Sequence, residues 1–161
     1  KAFFAGDEVK IYRRSDLSEL KDIYTVESTD DDIDNKTVKV KFKEALPPLR
    51  PNQFVFENIT YNPELTISGC TFNAIPTRAI LCTTDRPSKI FDNKFKNINM
   101  HDIYISCDCN HWYESGPCRN LEIFNNIFSK KDSVKIEPIS VNKPVKDVHR
   151  NIKIYDNKIG E

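Results

Sequence analysis

The chain has 161 residues, enough to bury a core, and it balances 24 Lys and Arg against 24 Asp and Glu. Zero net charge argues against the one-sided basic surface of a nucleic-acid binder, so no nucleic-acid partner is expected. No apolar run approaches the roughly 20 residues that span a bilayer, and no membrane span is expected.

From Phe3 to about Leu46 apolar residues alternate in short runs, Val9-Lys10-Ile11-Tyr12, Tyr24-Thr25-Val26 and Thr37 to Phe42. Alternation with period two predicts antiparallel strands with one wet face. The run Asp30-Asp31-Asp32-Ile33-Asp34-Asn35 suits a solvated turn, and it lacks the glycine of an EF-hand loop. Leu46-Pro47-Pro48-Leu49 breaks the pattern and predicts a boundary, with one domain over residues 1–48 and another over 49–161.

The second part repeats. Ile67-Ser-Gly-Cys-Thr-Phe72, Ile90-Phe-Asp-Asn-Lys-Phe95, Ile123-Phe-Asn-Asn-Ile-Phe128 and Ile154-Tyr-Asp-Asn-Lys-Ile159 share one template, spaced 23, 33 and 31 residues apart. An Ile enters the core and Asn takes a corner, where it tolerates the left-handed conformation and its amide can bond the next coil. A Phe or Ile then re-enters the core. Ile80, Ile103 and Ile136 each follow their template Ile by 13 residues, which predicts a second stacked strand in register across three coils. These features predict an all-β fold, a parallel β-helix. An antiparallel sandwich would call for Asn-Gly or Asp-Gly hairpin turns, and neither dipeptide occurs. The chain starts at Lys1 and stops in an unfinished repeat, so it is expected to be a piece of a larger solenoid.

The five cysteines, 70, 82, 107, 109 and 118, are an odd number without paired CxxC spacing. They are expected to be mostly small buried hydrophobes, with no metal site and no cofactor.

Insertions in a solenoid project on one face, often the binding face. The 33-residue coil carries Ile105-Ser-Cys-Asp-Cys-Asn-His-Trp-Tyr-Glu-Ser-Gly-Pro-Cys118, with the only Trp beside a Tyr, a His and two carboxylates. Aromatic faces pack on the C–H surface of sugars while carboxylates hold hydroxyls, and glycosidic cleavage needs two carboxyl groups. Asp108 and Glu114 are the candidate catalytic pair; the plainer roles are a turn cap for Asp108 and a loop brace for Glu114. Trp112, Tyr113 and Arg78 are candidate substrate-binding residues. Asp85 joins them because it lies 18 residues after Ile67, as Asp108 lies 18 after Ile90, so the two should stack. The alternative for Asp85 is pairing with Arg86 or capping the turn before Pro87. His101 and His149, near strand starts, are expected to make structural hydrogen bonds.

The blocks Glu57-Asn58-Ile59-Thr60 to Pro63, Thr77-Arg78-Ala79-Ile80-Leu81, Thr84, Arg86-Pro87, Ile105-Ser106-Cys107-Asp108 and Trp112-Tyr113-Glu114-Ser115-Gly116 resemble glycoside hydrolase family 110, in its C-terminal part. The resemblance implies a bacterial exo-α-galactosidase that removes terminal α-1,3-linked galactose from glycans with inversion. It also implies a right-handed, pectin-lyase-like parallel β-helix carrying a small antiparallel β-barrel, to which the region around Ala5-Gly6-Asp7 is similar. Location in the periplasm or outside the cell follows from the same resemblance, while no oligomeric state does. Two departures stand out. Asp108 is flanked by Cys107 and Cys109, where the family pattern has adjacent acids, and family members are several times longer. The isolated chain is therefore expected to be inactive, with a non-catalytic carbohydrate-binding module as the alternative function.

Overall fold

A computed structural model describes residues 2–114, 116–141, 145 and 147–160; Ser115 of the Trp-Tyr-Glu-Ser-Gly block lies outside the described residues. The described structure is all β. Strands β1 (Glu8–Arg13), β2 (Tyr24–Asp32), β3 (Thr37–Phe42) and β4 (Phe54–Asn58) form one antiparallel sheet in the order β3-β2-β1-β4. Alternation explains the start of β1, where Val9 and Ile11 are fully buried on either side of half-buried Lys10, while Tyr12 after them is buried as well. The acidic run is half strand and half turn: Asp30, Asp31 and Asp32 pair with Lys39, Val38 and Thr37, while Ile33, Asp34 and Asn35 make the turn, with Asn35 folded back onto the Asp32 carboxylate. After the Pro47-Pro48 break the chain returns to this sheet, with Ile11 of β1 opposite Phe56 of β4.

Eleven further strands belong to three parallel sheets. The first holds β5 (Leu65–Ser68), β8 (Ser88–Phe91), β11 (Arg119–Phe124) and β14 (Arg150–Tyr155). The second holds β6 (Thr71–Ile75), β9 (Lys94–Ile98), β12 (Ile127–Phe128) and β15 (Lys158–Ile159). The third holds β7 (Ile80–Cys82), β10 (Ile103–Asp108) and β13 (Val134–Ile139). The chain visits the three sheets in turn and each pass adds a parallel neighbour, an arrangement compatible with a parallel β-helix.

The template residues stack as their spacing implies. Ile67, Ile90, Ile123 and Ile154 are consecutive partners in the first sheet. Ile90 and Ile123 are fully buried, and each such side chain contributes about 1.5–3 kcal/mol by leaving water. Phe72, Phe95 and Phe128 stack inside the coils with centroids 4.9 and 5.2 Å apart, and Phe91, Phe124 and Tyr155 form a second, less buried stack.

Two details differ from the sequence reading. The left-handed corner residue is not the template Asn but the residue before it: Gly69, Asp92, Asn125 and Asp156 all have φ between 53° and 65°. That reversal turns the following Asn inward, where Asn93 and Asn126 are wholly buried and form a ladder. Asn126 Oδ1 accepts the backbone N–H of Asn93 at 3.1 Å, and Asn126 Nδ2 donates to Ile90 O at 2.9 Å. The second difference is in β13. Ile103 pairs with Val134, and Ile136 pairs with Ile105, so the third coil reaches its strand two residues early. Ile136, expected to be stacked on Ile103, is instead 45% exposed.

A polar network fastens the antiparallel sheet to the coils. Lys10 Nζ reaches Asp85 at 3.0 Å and Glu19 at 3.2 Å, and Arg119 reaches Glu19 at 2.7 Å. Burial disfavours the charge on Asp85, but hydrogen bonds from Lys10 and Asn62 hold its carboxyl below the usual carboxylate range. Beside this network Tyr12 donates to Glu57 at 2.8 Å, and Asn62 donates to the other Glu57 oxygen at 3.0 Å.

Candidate active site

The long coil leaves the third sheet at Asp108 and turns back at once. Alternation along β10 sends Ile103 and Ile105 into the core and Tyr104, Ser106 and Asp108 to the opposite face. Asp108 ends the strand, and its Oδ1 accepts the backbone N–H groups of Asn110 and His111 at 2.7 and 2.8 Å. These bonds fold residues 108–114 into a loop that closes as an isolated antiparallel bridge between Asp108 and Glu114. Bridge partners project to the same side, so the two acids are neighbours.

Their environments differ. Asp108 is 1% exposed, and its Oδ2 is buried without a hydrogen-bond partner among the described residues. Burial opposes its charge, but the N–H groups of His111, Asn110 and Trp112 together hold its carboxyl below the usual value, so it is ionised at neutral pH. Glu114 is partly open and receives the Arg78 guanidinium at 3.3 Å. Arg78 in turn lies over the Tyr104 ring at 5.6 Å.

These groups border a hollow of about 250 Å³ lined by Arg78, Tyr104, Asp108, Trp112, Glu114 and Glu137, among others. Trp112 is 81% exposed at its rim. Glu137 comes from β13, in register with Ser106, accepts a hydrogen bond from Tyr104 at 2.7 Å and forms an ion pair with Lys135 at 3.0 Å. The structure thus brings Asp108, Glu114, Arg78 and Trp112 together around one polar hollow. Tyr113 turns to the other side of the loop, where Arg14 covers its ring at 5.7 Å. There it lines a second cavity of about 280 Å³ with Tyr12, Phe54, Phe56 and Glu57. Asp85 does not line this hollow: β7 ends at Cys82, and the Asp85 carboxylate is engaged by Lys10 and Asn62.

Tyr104, Lys135 and Glu137 were not singled out from the sequence. A signal was present: they occupy outward positions on β10 and β13 beside Asp108, and a two-residue register shift leaves each side chain on the same face.

The insertion is braced from behind. His149 Nδ1 accepts the Cys118 N–H at 3.0 Å, the kind of structural bond expected of it, and burial lowers the imidazole pKa to about 4, keeping it neutral. A Cβ at Gly116 would lie 2.0 Å from Glu57 Oε2, which Tyr12 holds in place. Gly116→Ala should therefore displace the buried Tyr12–Glu57 pair and cost about 2 kcal/mol, read as a lower midpoint in calorimetric melts.

No protein-family model matches the chain. It is 43% identical over 135 residues to an α-1,3-galactosidase A of Peterkaempfera griseoplana, covering 80% of this chain and 19% of that protein. The α-1,3-galactosidase A of Streptomyces avermitilis is 35% identical over 166 residues, covering 96% of this chain and 27% of the relative. That of Bacteroides fragilis strain NCTC 9343 is 32% identical over 169 residues, with 97% and 27% covered. The chain spans about a quarter or less of the length of these relatives.

Proposed function

The chain belongs to the glycoside hydrolase family 110-like α-1,3-galactosidases, and from that premise we propose that it supplies one wall of the active site of a galactosidase. The substrate in this reading is a glycan ending in α-1,3-linked galactose, and the reaction is hydrolysis with inversion. The observation that carries it is the polar hollow, with Arg78, Glu114, Glu137 and Trp112 converging at its edge. Trp112 offers a flat apolar face to the sugar ring, while Arg78 and the carboxylates are suited to its hydroxyls. Glu114 and Glu137 are the carboxyl groups open to the hollow, and Asp108 lies ionised beneath them. An inverting hydrolase needs one carboxyl to protonate the leaving oxygen and another to activate water.

The three parallel sheets support coils of a right-handed β-helix, with the antiparallel sheet as a small barrel-like unit beside them. The relatives' length supports a working enzyme larger than this chain, and a place in the periplasm or outside the cell is part of the same proposal. A second reading, a carbohydrate-binding β-helix without catalysis, is favoured by the burial of Asp108 and by the thiols on either side of it. The full-length protein assayed on α-1,3-galactosides decides between them. Released β-galactose supports inverting hydrolysis, α-galactose as first product would refute inversion, and glycan binding without turnover supports the second reading.

A further inference from the structure

Four of the five thiols are buried, but only two of them face each other. Cys82 and Cys118 are 1% and 0% exposed, and their sulfurs lie 3.6 Å apart. The others are engaged elsewhere: Cys109 bonds the carbonyls of Arg14 and Ile139, Cys107 lies 4.0 Å from His149, and exposed Cys70 bonds Ser68 O. We propose that Cys82 and Cys118 are a disulfide site that locks the active-site insertion onto the coils.

Cys82 ends β7, two residues before Thr84, whose carbonyl accepts the N–H of Arg119 at 3.2 Å. Cys118 is the last residue of the insertion before β11. A bond between them would join the third sheet to the first across the coil interior, at the point where the insertion returns to the solenoid. Disulfide sulfurs are about 2.05 Å apart, so bonding requires an approach of about 1.5 Å, a distance within reach of small rotations about the two Cα–Cβ bonds. The environment also favours exchange chemistry. The hydrogen bond from Cys118 holds the Cys82 thiol below its ordinary pKa, while the same contact and then burial raise Cys118.

The oxidant is a small disulfide such as oxidised glutathione. The Cys82 thiolate attacks one of its sulfurs and releases a thiolate. Deprotonated Cys118 then attacks the Cys82 sulfur of the mixed disulfide and releases the second. The two protein thiol protons end on the two released thiolates, and the two electrons lost by the protein sulfurs reduce the oxidant. Because both sulfurs are buried, the reaction belongs to folding or to transient opening of the insertion.

The test is to refold the full-length protein in a glutathione redox buffer, block free thiols in denaturant, and map peptides without reduction. A Cys82–Cys118 linked peptide is expected, with Cys70, Cys107 and Cys109 recovered blocked. The oxidised protein should melt about 5 °C above the reduced form, a difference that Cys82→Ser and Cys118→Ala each abolish. Recovery of Cys82 and Cys118 as blocked thiols, or either one linked to a different cysteine, overturns the proposal. Mapping the wild-type protein alone decides the matter even where a variant fails to fold.

Discussion

Replacing Asn126 with alanine is expected to destabilise the protein by about 4 kcal/mol, a fall in melting temperature on the order of 10 °C. Asn126 is 0% exposed, and its side chain ties its own coil to the coils on both sides. Its oxygen accepts from the backbone and side-chain nitrogens of Asn93, and its amide donates to Ile90 O, Phe124 O and Asn157 Oδ1. Alanine would leave several of these partners buried without replacement, and each such group costs about 1–3 kcal/mol. Asn157 is the internal control. It occupies the same place in the next coil but is more open to water, so Asn157→Ala should cost clearly less. Equal melting temperatures for the two variants would mean that the ladder adds little beyond the stacked apolar residues.

The ladder also shows how far the sequence could be read. Four copies of one template set the register of the first sheet, because an Ile at constant depth and an Asn that bonds the neighbouring coil leave little freedom between them. The identity of the left-handed residue was not legible in the same way. Asn was the natural choice for that conformation, yet the preceding Gly69, Asp92, Asn125 or Asp156 adopts it, and the buried amide is the result. The third sheet was legible for two coils, where the 13-residue offset holds, and misread by two residues in the next. Loop length between strands is set by what the loop packs against, and no repeat in the sequence encodes it. Long-range ion pairs were less legible still. Lys10 and Asp85 are 75 residues apart, and only the docking of the antiparallel sheet brings them together. For the hollow, the insertion pointed to Asp108, Trp112 and Glu114, while Glu137 lies outside the insertion, on the neighbouring strand, where only the alternation of β13 marked it.

The largest expected effect on activity comes from Glu114. In the full-length protein, Glu114→Gln is expected to lower kcat/KM on an α-1,3-galactoside by about 10³-fold, within the usual contribution of general acid–base catalysis. The glutamine can still face Arg78, so the melting temperature should change little; a surface pair at this exposure adds little to stability. Asp108→Asn is the informative companion. An asparagine oxygen can still receive the Asn110 and His111 N–H groups, so the turn survives while the buried charge is lost. If that charge acts on the reaction from beneath the hollow, activity falls by 100-fold or more with the fold intact. If Asp108 serves only as a turn cap, Asp108→Asn stays within a few-fold of the parent while Asp108→Ala loses stability and activity together. Full activity in Glu114→Gln would remove Glu114 from the chemistry and leave Glu137 as the carboxyl open to the hollow. Glu137→Gln, made in parallel, tests that alternative, because Tyr104 and Lys135 hold Glu137 whereas Arg78 holds Glu114.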